Sequence, residues 1–211
     1  RRFDDASAEI AEALRLGPDS WEVNKEAGRC AMFRRDIFGA TERYEKAVEV
    51  MESDFHAWGI LLTCYRAQDD AEKVQHAAKM MVSEAEKALQ QDPSNGAALG
   101  IIAGGHAALG QIERAHEWIE RAMLIDPDNL KMRYNFACVL ASHLDKKDAA
   151  LNLLERTFAI AGDLLVRAAD TDPDLDSLRG HPRFEKILTG AKARLGIKET
   201  TVAVTDSSSA A

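Results

Sequence analysis

The stretch "AHEWIERAMLIDPDN" (residues 115–129) places Ala115, Ile119, Ala122 and Pro127 at offsets of zero, four, seven and twelve. "ASAEIAEALRLGPD", starting at Ala6, repeats the series as Ala6, Ile10, Ala13 and Pro18, and "ATERYEKAVEV" supplies Ala40, Tyr44 and Ala47. In an α-helix, offsets of four and seven return to nearly the same face. Small residues at zero and seven let a partner helix come close, and the larger residue at four fills the space beside them. Proline at twelve ends the helix, because it lacks an amide hydrogen and clashes with the preceding turn. Helical stretches beside these segments carry a small residue of their own: Gly28 in "WEVNKEAGRCAMF", Ala103 in "GAALGIIAGGHAAL" and Ala137 in "LKMRYNFACVLA".

From Gly28 to Ala40 to Ala47 the spacing is twelve and then seven; from Ala103 through Ala115 and Ala122 to Pro127 it is twelve, seven and five. This resembles the tetratricopeptide repeat, a helix–turn–helix unit of about 34 residues. The resemblance implies an all-α fold, a right-handed α-solenoid of stacked antiparallel helix pairs. It divides the chain into the second half of a repeat at 1–20, then units at 21–54, 55–95, 96–129 and 130–164. Unit 55–95 has Trp58, Leu61 and Tyr65 where the family has large residues, but Leu62 at the tight contact. It reaches Ala88 and Pro93 seven residues late, which lengthens its second helix to Ala71–Gln91 and turns its face by only about 20°. Unit 130–164 carries one extra residue near "SHLDKKD" and ends on Gly162 instead of proline.

The following "DPDLDSLRGHPRFEKIL" (172–188) resembles the closing segment of many bacterial arrays of this family, so 165–196 reads as a cap. A stacked array ends on an exposed apolar face that needs covering. Leu175, Leu178, Phe184, Ile187 and Leu188 are suited to cover it. The tail 197–211 is small and polar and reads as disordered.

With 211 residues, 46% hydrophobic and 6% aromatic, the chain can bury a core and favours helix. A formal net charge of −8 argues against nucleic acid as a partner. No apolar run approaches the length of a membrane span. Cys30, Cys64 and Cys138 are odd in number and far apart, which reads as a reducing cytoplasm and not a disulfide framework. The chain begins "RRFDDASAEI", without methionine and already helical, and so reads as a piece of a longer protein. Arrays closed in this way often trail a signalling or regulatory domain, such as a nucleotide cyclase or a winged-helix regulator, so the resemblance implies a C-terminal regulatory or assembly module.

Catalytic chemistry needs converging polar groups, and the candidates fail in turn. "HEWIE" (116–120) lacks the second histidine of a zinc-protease helix, since Glu120 stands there. His106 replaces a family tyrosine between paired helices and reads as a packed, hydrogen-bonded core residue. "GIIAGGHAALG" has neither a phosphate-loop Lys-Ser/Thr pair nor a preceding strand. Cys30 and Cys64 have no Cys-x-x-Cys partner or activating base. "DTDPDLD" lacks the glycine and closing glutamate of a calcium loop and reads as turn and cap chemistry. No catalytic residue, metal site or cofactor motif emerges.

The resemblance instead implies a docking groove lined by the first helix of each unit. Carried over position by position, its candidate residues are Lys25, Arg29, Met32 and Phe33, then His56, Thr63 and Arg66, then Gly100 and Gly104, then Lys131 and Tyr134. Lys25, Arg29 and Arg66 beside Met32 and Phe33 suit an acidic, partly hydrophobic peptide. The side-chain-poor third unit is suited to close approach of a bulky ligand group or a helix, or to being filled by a neighbouring chain. A chaperone-binding subtype of the family grips a terminal carboxylate with a Lys/Asn/Asn/Lys/Arg set. Here Lys25 matches one place while Arg29, Ile60, Ala97 and Ile101 occupy the others, so that clamp is missing. The alternative reading is a homo-oligomer joined through helix 71–91 or the small-residue repeat 96–129.

Overall fold

The computed structural model describes residues 2–197. The expectation for the 197–211 tail therefore lies, apart from Ile197, outside the described residues. Within them the chain forms eleven α-helices, one 3-10 turn and no strand. Helix α1 (Arg2–Leu16) leads into four antiparallel hairpins: α2 (Trp21–Phe33) with α3 (Ile37–Val50), α4 (Phe55–Ala67) with α5 (Ala71–Gln91), α6 (Gly96–Ala108) with α7 (Ile112–Ile125), and α8 (Leu130–Ser142) with α9 (Lys147–Phe158). Then come α10 (Asp163–Thr171), a 3-10 turn (Pro173–Leu178) and α11 (Pro182–Leu195). Each hairpin packs on the next, α3 on α4, α5 on α6 and α6 on α8. This is an all-α solenoid.

The recurring small residues make the pile possible. Ala40, Ala47, Ala115, Ala122 and Ala150 are completely buried. At Gly28 an added Cβ would stand 2.6 Å from the Tyr44 ring, so only hydrogen fits between α2 and α3. Around these contacts sit Leu61, Leu99, Ile102, Phe136, Leu151 and Leu154, all fully buried. Each contributes about 1.5–3 kcal/mol relative to exposure.

One turn is used repeatedly within the hairpins. Arg35, Asp69 and Gly110 each lie in the left-handed region, two residues past the first helix, at φ of 58°, 57° and 73°. The next amides, of Asp36, Asp70 and Gln111, reach back to the carbonyls of Ala31, Tyr65 and His106. This is the Schellman closure of a helix C-terminus. In the fourth hairpin Asp145 takes the same conformation one residue later, at φ 48°. Between hairpins, Ser20, Asp54, Asn95 and Asn129 cap the next first helix through their side chains. Buried Asn24 pins the first such loop by donating to the carbonyls of Pro18 (2.7 Å) and Ser20 (2.9 Å).

The C-terminal segment packs on the last hairpin and then turns inward. Leu175, Leu178 and Phe184 are fully buried with Leu151, Leu154 and Phe158. Arg194 fastens α11 by donating to the carbonyls of Phe158 and Ala161. The 3-10 turn touches both α4 and α8, and α10 touches α2. In a straight stack, α2 and α8 would lie about three helix spacings of 8–10 Å apart. A short segment reaching all three requires the first-helix face to curve around it, so that face is concave.

Candidate functional site

The concave face divides into three stretches. At its mouth, where the first helices begin, Asp54 Oδ1 accepts the amides of His56 (3.0 Å) and Ala57 (3.2 Å) and so starts α4. Its other oxygen accepts Trp21 Nε1 at 2.9 Å and meets Lys25 Nζ at 2.6 Å, tying α2 to α4. The Lys25 ammonium also lies 4.3 Å over the Trp21 ring. Burial raises the Asp54 pKa, but the Lys25 ammonium and the Ala57 and Trp21 donors outweigh it, and the net effect is downward. His56 is pushed down to about 4, first by burial and next by the charge of Lys131, with Lys25 adding and Asp54 opposing. The Lys131 ammonium is itself pulled down by burial and then by Lys25. Three basic side chains, from α2, α4 and α8, therefore share one small region. Among the described residues Lys131 is in no ion pair.

The middle stretch is filled by the chain itself. A Cβ on Gly100 would meet the Met132 backbone at 3.2 Å, and one on Gly104 would meet Val139 at 3.3 Å. Asn135 donates to the Gly100 carbonyl at 3.0 Å, locking α8 onto α6. These glycines are where α8 settles into α6, so the close approach anticipated for a ligand is made by the next helix. On the other side Gly105 faces Val82 and the Ala78 carbonyl on α5.

The inner stretch holds the acidic segment. Tyr134 Oη donates to Asp172 at 2.7 Å, and the Cys138 thiol faces the same carboxylate oxygen at 3.8 Å. Arg66 is ion-paired with Asp174, and Thr63 Oγ1 donates to Asp174 at 3.3 Å. Arg66 also reaches His143 Nε2, at 2.7 Å, across the face. Arg35 pairs with Asp176 at 2.6 Å and donates to the Thr171 carbonyl at 3.4 Å, while Ser177 donates to the Ala141 carbonyl at 3.2 Å. Asp172 is raised by burial, against the bonds from Tyr134 and the charge of Arg66. Arg66 is lowered by burial, and His143 is pushed down to about 4 by burial and then by Arg66.

Of the residues assigned to a partner, Lys25, His56 and Lys131 are thus brought together at the mouth. Arg29, half-exposed, pairs with Glu26 on its own helix. Met32 is partly buried, its sulfur 3.6 Å from the Cys64 thiol, and Phe33 ends α2 beside it. Thr63, Arg66 and Tyr134 are engaged within the chain, so the expected cationic end does not present Arg66 as an open donor. Sequence reasoning missed Asp172, Asp174, Asp176, Arg35 and His143. The alternating carboxylates of "DTDPDLD" were the available signal, because they match the cations assigned to the groove.

Burial lifts the Cys64 thiol to about 11 and the Cys138 thiol well above its ordinary value, so both stay protonated. Cys138, Asp172 and Asp174 bring three ligand-type atoms within 4.8 Å of one another. The positive charge among them comes from the Arg66 guanidinium, and Tyr134 and Thr63 already use their oxygens. His106 is buried, bonded through Nδ1 to Gln111 Oε1 at 2.7 Å and stacked on Trp118. No described helix is long and apolar enough to cross a membrane.

No family model and no curated protein matches the chain. Among solved structures it is similar to a crystal structure of MamA, with 16% identity over 74% of this chain and 87% of that one and a TM-score of 0.45. A second MamA structure gives 15% identity over 86% and 87% of the two chains, again with a TM-score of 0.45. YrrB, described as a TPR protein with an unusual peptide-binding site, gives 17% identity over 91% and 84%, with a TM-score of 0.45. The chain's own features carry the assignment. Successive hairpins with one shared turn, and fully buried small residues at the spacing read from the sequence, give it the architecture of a tetratricopeptide-repeat solenoid.

Proposed function

We propose that this chain is a non-enzymatic protein-interaction scaffold that docks an acidic, partly hydrophobic partner segment at the mouth of its concave face. The supporting observation is the convergence of Lys25, His56 and Lys131 from three different first helices, around the Asp54 carboxylate that pairs with Lys25. A carboxylate seated there would offset the lysine charges that add to burial in holding His56 down, and would give Lys131 an ion-pair partner. Its setting is cytoplasmic, as a regulatory or assembly module of a larger signalling protein.

The test is fluorescence anisotropy with a labelled peptide of repeated Glu-Glu-Leu and, as control, one of repeated Lys-Lys-Leu. The acidic peptide should bind and the basic one should not. Lys25→Glu/Lys131→Glu should weaken binding by at least about tenfold, the equivalent of about 1.4 kcal/mol. Equal binding of both peptides, or an unchanged affinity in the double variant, would defeat the proposal.

A further inference from the structure

The segment crossing the inner stretch has the chemistry of a groove ligand. Its carboxylates fall on alternate residues, Asp172, Asp174 and Asp176, and each finds a donor on a different part of the repeat array. Tyr134 of α8 holds the first, Arg66 and Thr63 of α4 the second, and Arg35 of the first hairpin turn the third. Thr63, Arg66 and Tyr134 are among the positions that the repeat pattern assigns to a partner. Leu175 and Leu178 supply the apolar part.

We propose that residues 171–178 are an internal ligand, and that the inner stretch opens to a partner segment of the same chemistry: carboxylates on alternate residues followed by leucine. This deepens the reading of the concave face as a docking surface and rests on it. Two features favour a displaceable segment over a fixed wedge. Asp172 is held against its own solvation, since burial outweighs the bond from Tyr134 and the charge of Arg66, and a buried ionic cluster of this kind adds little net stability. The outermost link, Arg35 to Asp176, is half-exposed on both sides and open to competition by water or a rival carboxylate. Removing the segment would uncover Arg35, Arg66, Thr63 and Tyr134, the groups that now hold it. That surface complements the segment just removed.

Two measurements on the whole chain test this. Hydrogen exchange of the unliganded protein should show the amides of 171–178 exchanging at least about tenfold faster than those of α8 beneath them, through local opening. Exchange of both only together, as one unit, would overturn the proposal while leaving the mouth reading untouched. The second probe is a labelled peptide with the sequence of residues 170–180. It should bind Asp174→Asn/Asp176→Asn at least about tenfold tighter than wild type, and adding Arg66→Glu should remove that gain. Identical affinity of wild type and the double Asn variant, with unchanged helicity, would overturn it.

Discussion

Acid should weaken this fold before its carboxylates titrate, and two histidines set the size of the effect. His56 and His143 are both held down to about 4, against an ordinary value of about 6.5. The folded chain therefore binds fewer protons than the unfolded chain below about pH 6.5, so stability falls as pH drops through the window from 6.5 to 4. Fully developed, the difference is worth up to about 3.4 kcal/mol per histidine. Between pH 7 and pH 5 each should cost about 2 kcal/mol, a large part of a normal folding free energy. Asp172 works in the opposite direction, because its raised pKa makes protonation favour the folded state. Depressed carboxylates such as Asp54 lose their contribution only at lower pH. Urea unfolding at pH 7 and pH 5 measures the loss, and His143→Gln, which keeps a polar group beside Arg66, should remove about half of it. Equal stability at both pH values, or a pH slope unchanged in both His143→Gln and His56→Gln, would refute the reasoning.

Four further substitutions follow from the packing. Gly190, in the interior of α11, has open space where a Cβ would go, whereas Gly28 has the Tyr44 ring at 2.6 Å. Gly190→Ala should therefore stabilise by about 0.5–1 kcal/mol and Gly28→Ala should destabilise by about 1–3 kcal/mol, read as opposite shifts of the urea midpoint. Asp69 holds the position that Gly110 holds in the next hairpin, with φ of 57° and an exposed side chain. Asp69→Gly should raise stability by up to about 1 kcal/mol in the same assay. Phe184 is fully buried between α11 and the last hairpin, with Arg179 over its ring. Phe184→Ala should cost about 3–5 kcal/mol of unfolding free energy.

The fold class was legible because its determinants are local and repeated. Ala40 and Ala47, or Ala115 and Ala122, announce a close helix contact wherever the chain goes next, and their complete burial has that cause. The site was legible only in part. Lys25, His56 and Lys131 lie at repeat positions whose orientation the hairpin dictates, so the pattern could name them. Gly100 and Gly104 looked bare because a sequence does not show how deeply Met132 and Val139 of the next unit will press in. The contacts of Asp174 with Arg66 and of Asp176 with Arg35 depend on a segment folding back across the whole array. The second joins residues 141 apart in the chain. No local period encodes such a return, and within its own neighbourhood "DTDPDLD" serves equally well as a turn.

The acidic segment lies in the concave face, against helices far from it in sequence. Isotope-edited nuclear Overhauser spectra of the whole chain address this directly. They should show cross-peaks from Thr63 and Arg66 to Asp174 and from Ala141 to Ser177. Random-coil shifts for 171–178, with no cross-peak to α4 or α8, would contradict it.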